Sequence, residues 1–202
     1  HYGYFNDFMT YNSGDWTVTT TEAGTGSATE AITSGAGGQL LLTNAAGDND
    51  NDFLQLKGES FLIDGSKRAY FSARFKVSDA TQSDFVIGLQ ITDTSPLAVS
   101  DGIFFIKDDG DTNLDFIVEK DSTSTDTTAI HTMADDTFVT VAFFVDPDTA
   151  LVHYSVNNAE PVGVVNTNLP DNEELTVSFG IQNGEAAAKT MTIDYVTAIV
   201  GR

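Results

Sequence analysis

Alternation of apolar and polar side chains over Arg68–Lys76 constrains this chain more than any other run in it. Ala69, Phe71, Ala73 and Phe75 fall on one side of an extended backbone, and Tyr70, Ser72, Arg74 and Lys76 on the other. Successive side chains of a strand point to opposite faces, so one dry and one wet face predicts a strand covering a core on one side. A chain built of such strands, with no evident catalytic signature, points to binding or structure ahead of catalysis.

Strand-like segments recur along the sequence: Gln39–Thr43, Phe53–Leu56, Arg68–Lys76, Phe85–Thr92, Gly102–Lys107, Asn113–Lys120, Phe138–Asp146, Ala150–Val156, Leu175–Gln182 and Thr190–Val200. Turn signals separate many of them, including Asp64-Gly65, Asp146-Pro147-Asp148, Pro170-Asp171-Asn172 and Asn183-Gly184. Only Glu185–Lys189 favours a helix. A single open sheet of this many strands would leave an apolar face in water, so the predicted fold class is all-β, a two-sheet antiparallel β-sandwich of jelly-roll type. No repeat of fixed period appears, which disfavours a propeller or β-helix.

The length of 202 residues suits one such domain over 1–202. With 41% hydrophobic and 19% charged residues the chain is too apolar for disorder and too interrupted for a membrane span. Its net charge of −21 makes nucleic acid and anionic membrane poor partners. There is no cysteine, so no disulfide framework and no thiolate metal site. The start, His1-Tyr2-Gly3-Tyr4, carries neither a basic nor an apolar leader region, and no signal peptide is expected in it.

Tyr2, Tyr4, Phe5, Phe8, Tyr11 and Trp16 crowd the first sixteen residues. They predict either a first strand closing the sandwich or, over 1–14, an arm that docks on a neighbouring subunit, where aromatics are favoured. Thr19–Gly38 is polar and Gly-rich and reads as a surface loop or weak edge hairpin.

Candidate chemistry is sparse. Asp48, Asp50 and Asp52, with Glu59 further on, resemble the spacing of a Ca²⁺ loop. Phe53 stands where such a loop needs Gly, so a solvated acidic turn competes with a weak Ca²⁺ site, and no other cofactor is expected. Asp108-Asp109-Gly110-Asp111 reads as a hairpin turn. Hydrolysis by paired carboxylates needs two acids at fixed separation. Jelly-roll glycanases typically show Glu-x-Asp-x-x-Glu on one strand, and here Glu119 and Asp121 are followed by Ser124 in place of the second Glu. His1, His131 and His153 are scattered, without metal or triad spacing, and no phosphate-binding glycine loop is present. No catalytic residue is assigned and the chain is expected not to be an enzyme.

One stretch departs in charge. Lys57, Lys67, Arg68, Arg74 and Lys76 lie together with only Glu59 and Asp64. They form either a cationic patch for an acidic partner, in which Lys67, Arg68, Arg74 and Lys76 make the contact, or a set paired with the chain's own carboxylates.

Phe75–Asp84, Gly88–Asp93, Phe104–Gly110, Ser178–Gly184 and the run from Trp16 to Gly24 resemble virion proteins of tailed phages. Ile193-Asp194-Tyr195-Val196 is similar to the last strand of concanavalin A-like, laminin-G-type jelly rolls. The resemblance implies a concanavalin A-like jelly roll acting as a capsid decoration, or cement, protein. Such a protein would sit on the capsid exterior, bind the major capsid protein and form a homo-oligomer. The rival reading is a carbohydrate-binding module of the same fold, with Trp16, Tyr70 or Tyr154 stacking on a glycan; glycoside hydrolysis ranks last.

Overall fold

The computed structural model describes residues 1–202. In chain order the strands are β1 (Tyr2–Asn6), β2 (Trp16–Thr21), β3 (Thr29–Thr33), β4 (Gln39–Thr43), β5 (Asn51–Leu56), β6 (Phe61–Leu62), β7 (Ala69–Val77) and β8 (Ser83–Gln90). There follow β9 (Gly102–Lys107), β10 (Asn113–Lys120), β11 (Thr123–Thr132), β12 (Val139–Asp146), β13 (Leu151–Val156), β14 (Val162–Val165), β15 (Glu174–Asn183) and β16 (Thr190–Val200). No helix is long and apolar enough to cross a membrane.

All pairings are antiparallel and build two sheets. The first runs β14-β13-β12-β7-β16-β4-β3, with β1 sharing the β4 edge of β16. The second runs β11-β10-β9-β8-β15-β5-β2, with β6 also on β15. The chain passes repeatedly from one sheet to the other, as in a jelly roll. The alternation over Ala69–Val77 does what it predicts. Ala69, Phe71, Ala73, Phe75 and Val77 are buried against the other sheet, and Tyr70 is 39% exposed on the outer face. Within the first sheet Phe71 stacks on its cross-strand partner Phe143 at 5.3 Å between ring centres, and across the interior Phe75 meets Phe85 of the second sheet edge-on at 5.2 Å. Apolar burial of this kind, roughly 1.5–3 kcal/mol for each large side chain, is the main force holding the sheets together.

Two sequence expectations are corrected. Glu185–Lys189 forms no helix, although Lys189 does pair with Glu185. Residues 1–14 are not a free arm but part of this sandwich. Tyr2 to Asn6 pair with Val196 to Val200, Tyr2 stacks on Phe61, and Tyr4 sits edge-on to Trp16. Phe8 is fully buried against Trp16 and Phe179, and the Tyr11 hydroxyl donates to Glu30 at 3.4 Å. Of the arm's aromatics Phe5 alone is largely exposed, at 64%.

β8 is buried on both faces. A small separate apolar cluster of Phe53, Val86, Val99, Phe104 and Ile117 lies on that sheet's outer side, against Ile91, Leu97 and Ile106. Residues 91–101 therefore form a strap laid across the outer face of the second sheet.

Candidate functional site

The strap is held by side chains of the strands beneath it. Gln55 donates to the Ile91 carbonyl at 2.9 Å and accepts from the Asp93 amide at 3.0 Å, and Gln90 donates to the Pro96 carbonyl at 3.0 Å. Pro96 opens a short 3₁₀ turn, where its fixed φ suits the first position and its missing N–H loses nothing. The strap leaves a groove on either side of it.

One groove, of about 290 Å³, runs between the strap and β11. Its floor is Phe104, Ile106 and Ile117, with Leu97 at the side, and its polar lining includes Asp108, Asp115, Glu119 and Asp126. Strand alternation places them there. Leu114, Phe116 and Val118 point inward and are fully buried, so Asp115, Ile117 and Glu119 point outward. The β10–β11 connection is a two-residue hairpin in which Asp121 and Ser122 both have positive φ, 50° and 58°, the geometry of a type I′ turn. That turn fixes the register, setting Ser124 opposite Glu119 and Asp126 opposite Ile117. Asp126 thus lies diagonal to Glu119, about 7–8 Å away for such a pair.

Electrostatics separate these acids by role. Partial burial, then the charges of Asp126 and Asp101, hold Glu119 above the ordinary carboxyl range. Asp115 is also raised, by burial first and then by nearby acids, against the pull of the Ala129 amide, which donates to its Oδ1 at 2.6 Å. Ala129 has φ +55° at an irregularity of β11, so Asp115 braces that kink with one oxygen and faces the groove with the other. The molecule's ion pairs all lie elsewhere, leaving Glu119 and Asp126 without a cation. A carboxyl inclined to keep its proton, with a second carboxyl facing the same groove, is an arrangement able to donate to and accept from a bound hydroxyl-rich ligand. The second groove, about 240 Å³, lies on the other side of the strap and is lined by Thr19, Thr21, Asn51, Phe53 and Gln182.

Sequence reading placed its acid candidates differently. Asp121 is in the hairpin turn rather than beside Glu119 on the strand, and the acid that approaches Glu119 is Asp126 from β11. Asp48, Asp50 and Asp52 do not converge. The Asp50 carboxylate accepts from the amides of Ala23, Gly24 and Gly47 at 2.6, 2.9 and 2.7 Å, and these bonds hold it below the usual carboxylate range. Asp52 points into the sandwich and Asp48 into solvent. Asp108 to Asp111 turn the β9–β10 hairpin, with Gly110 at φ +84°.

Of the two readings of the basic stretch, the structure shows the pairing with the chain's own carboxylates and not the free cationic patch. Lys67 pairs with Asp64 at 2.9 Å, Arg68 with Asp146 and Asp148, Arg74 with Asp194 at 2.6 Å, and Lys76 with Asp136 at 3.2 Å. Lys57 donates to the Gly14 carbonyl. Trp16 is buried, and Tyr154 packs on Phe116 at 5.2 Å and is half-buried, so of the three stacking candidates Tyr70 is the most exposed.

No protein-family model and no curated protein sequence matches this chain. Solved structures do. A Bacillus licheniformis β-glucanase is 12% identical with a TM-score of 0.71, covering 99% of this chain and 98% of its own. An endo-1,3-β-glucanase from Streptomyces sioyaensis is 12% identical with a TM-score of 0.66, covering 98% and 95%. The carbohydrate recognition domain of Emp46p, in its potassium-bound form, is 12% identical with a TM-score of 0.64, covering 96% and 94%. At these identities the likeness is one of fold, and it establishes the concanavalin A-like jelly roll. The virion identity draws no support from these structures. The expectation of a non-enzyme is overturned, because two of the three are glucanases built on this architecture from end to end. A missing Glu-x-Asp-x-x-Glu run is no argument against catalysis when the register of a hairpin can bring acids together across two strands.

Proposed function

We propose that this chain binds polysaccharide in the carboxylate groove beside the strap. The carrying observation is the pairing of an apolar floor, Phe104, Ile106 and Ile117, with Asp115, Glu119 and Asp126 along one wall. The floor suits the C–H faces of sugar rings, and the carboxyls accept from ring hydroxyls. The fold shared with a carbohydrate recognition domain and with glucanases supports the same ligand class. Calorimetric titration against β-glucan oligosaccharides tests it. Binding that the Glu119→Gln/Asp126→Asn double variant weakens is expected; a glycan panel without a single binder overturns it.

A second reading is favoured by one further observation, the raised Glu119 diagonal to Asp126. In glycoside hydrolysis Glu119 would protonate the glycosidic oxygen while Asp126 activates water or attacks the sugar. Release of new reducing ends from β-glucan, lost in Glu119→Gln, distinguishes cleavage from binding alone.

The virion role rests on the sequence resemblance. In that setting the protein would be displayed on the capsid exterior as a decoration protein, oligomeric and bound to the major capsid protein. Its recovery in purified particles in proportion to the shell protein tests this.

A further inference from the structure

The outer face of the first sheet, on the far side of the molecule from both grooves, carries a row of rings that includes the stacking candidate Tyr70. Tyr70 on β7 is paired with Phe144 on β12, and Phe144 with His153 on β13, so the three lie side by side at one level of the sheet. All three point outward, since their neighbours Phe71, Phe143 and Val152 fill the core. They line the largest depression on the molecule, about 580 Å³, together with Ala142, Ser155 and Asn158.

Charge sets this surface apart. The chain carries −21, yet no Asp, Glu, Lys or Arg lines the depression. The nearby basic side chains are drawn off to their own partners, Arg74 to Asp194 and Arg68 to Asp146 and Asp148. A neutral lining with rings and a few hydroxyl, amide and imidazole groups offers nothing to an ionic ligand. It also argues against a second copy of this chain, because docking would bring a further −21 against the first. A neutral sugar chain meets no such repulsion. Three rings across two strand spacings extend about 10 Å, enough for successive sugars to lie flat on them.

We propose that Tyr70, Phe144 and His153 form a second polysaccharide-binding surface, on which a neutral glycan lies across β7, β12 and β13. The inference rests on the polysaccharide reading of the groove and extends it. The groove would hold a short stretch of chain, while the platform would anchor the protein to a longer or insoluble one, the two contacts acting together through raised effective concentration.

The test uses the full chain and two ligands, a short soluble β-glucan oligosaccharide and insoluble β-glucan. Tyr70→Ala/Phe144→Ala is expected to bind the insoluble polymer at least tenfold more weakly while holding the oligosaccharide like the parent. Glu119→Gln/Asp126→Asn is expected to lose the oligosaccharide and retain part of the polymer binding. If the platform variant holds the polymer as the parent does, the platform is overturned and the groove reading stands. If the parent binds neither ligand, both readings fail. The His153 ring resonances of the unaltered protein give a measurement independent of the variant's folding: they shift when soluble glucan polymer is added, and unmoved resonances at saturation overturn the proposal. A sedimentation run in which the platform substitutions turn a dimer into a monomer overturns it too, in favour of self-association.

Discussion

Glu119 and Asp126 stand diagonally across one hydrogen-bonded hairpin, Glu119 opposite Ser124 and Asp126 opposite Ile117, so that both face the same groove. The charge of Asp126 adds to partial burial in holding the Glu119 proton. Replacing Asp126 by Asn removes that charge while keeping the shape, and the Glu119 titration is expected to move down toward the ordinary carboxyl range. Carbon-detected NMR of the glutamate carboxyls follows it directly. An unmoved titration would mean that the two groups do not sense each other across the groove.

Asp52 presents a different carboxyl problem. It is fully buried and lies against Glu30, which also accepts from the Tyr11 hydroxyl. Burial, then the charges of Glu30 and Glu22, raise its pKa from 3.8 to about 8. The folded chain thus keeps a proton that the unfolded chain has released, so it binds more protons between pH 3.8 and about 8. Stability from this group falls as pH rises through that interval, by at most about 1.4 kcal/mol per pH unit. In Asp52→Asn that part of the slope is expected to vanish and stability at neutral pH to rise. Urea unfolding of both proteins from pH 4 to 9 at fixed ionic strength measures the difference.

Much of this architecture could be read before folding, and the exceptions have physical reasons. β4, β9, β10 and β16 begin and end where apolar patterning and turn residues predict. β11 (Thr123–Thr132) escapes such reading because it is an edge strand with a largely exposed, Thr-rich sequence and no buried face to impose alternation. With it escapes Asp126, and hence the groove. The available signal is the Asp121-Ser122 turn between two extended runs, which, taken as a two-residue hairpin, puts Ile117 opposite Asp126 by counting alone. The strap is invisible to patterning altogether, because its anchors Gln55 and Gln90 are polar residues buried by a loop distant in sequence from one of them.

Lys189 is held among acids at one end of the sandwich. Its ammonium donates to Asp79 at 2.7 Å and to Glu185 at 2.6 Å, and its side chain is only 7% exposed. Burial works to raise Asp79, but the Lys189 ammonium and the Gln82 and Thr81 amides outweigh it and hold the carboxyl at about 2. Stability from the ionised Asp79 is therefore complete above pH 3.8 and lost as pH falls through about 2. Lys189→Met leaves Asp79 without its cation, which is expected to cost about 3 kcal/mol at neutral pH and to move the acid transition upward. Thermal unfolding at neutral pH and circular dichroism between pH 1 and 5 report the two effects.

Phe8 and Phe5 separate the two meanings of the aromatic N-terminus. Phe8 adopts φ +51°, a backbone conformation that bulky residues avoid, and its amide is held by the Asn6 side chain at 2.8 Å. What sustains that conformation is its ring, fully buried edge-on to Phe179 and tilted against Trp16. Phe8→Ala is expected to lower stability by about 3–5 kcal/mol through the cavity it opens. Phe5, 64% exposed, has no such contacts, and Phe5→Ala should change stability by no more than about 0.5 kcal/mol. Deleting residues 1–12 leaves Val196 to Val200 of β16 paired on the β7 side only and uncovers Trp16, so the truncated chain should melt well below the parent. If the deletion left the melting temperature unchanged, the segment would contribute nothing to its own sandwich, and docking on a neighbour would again be its better explanation.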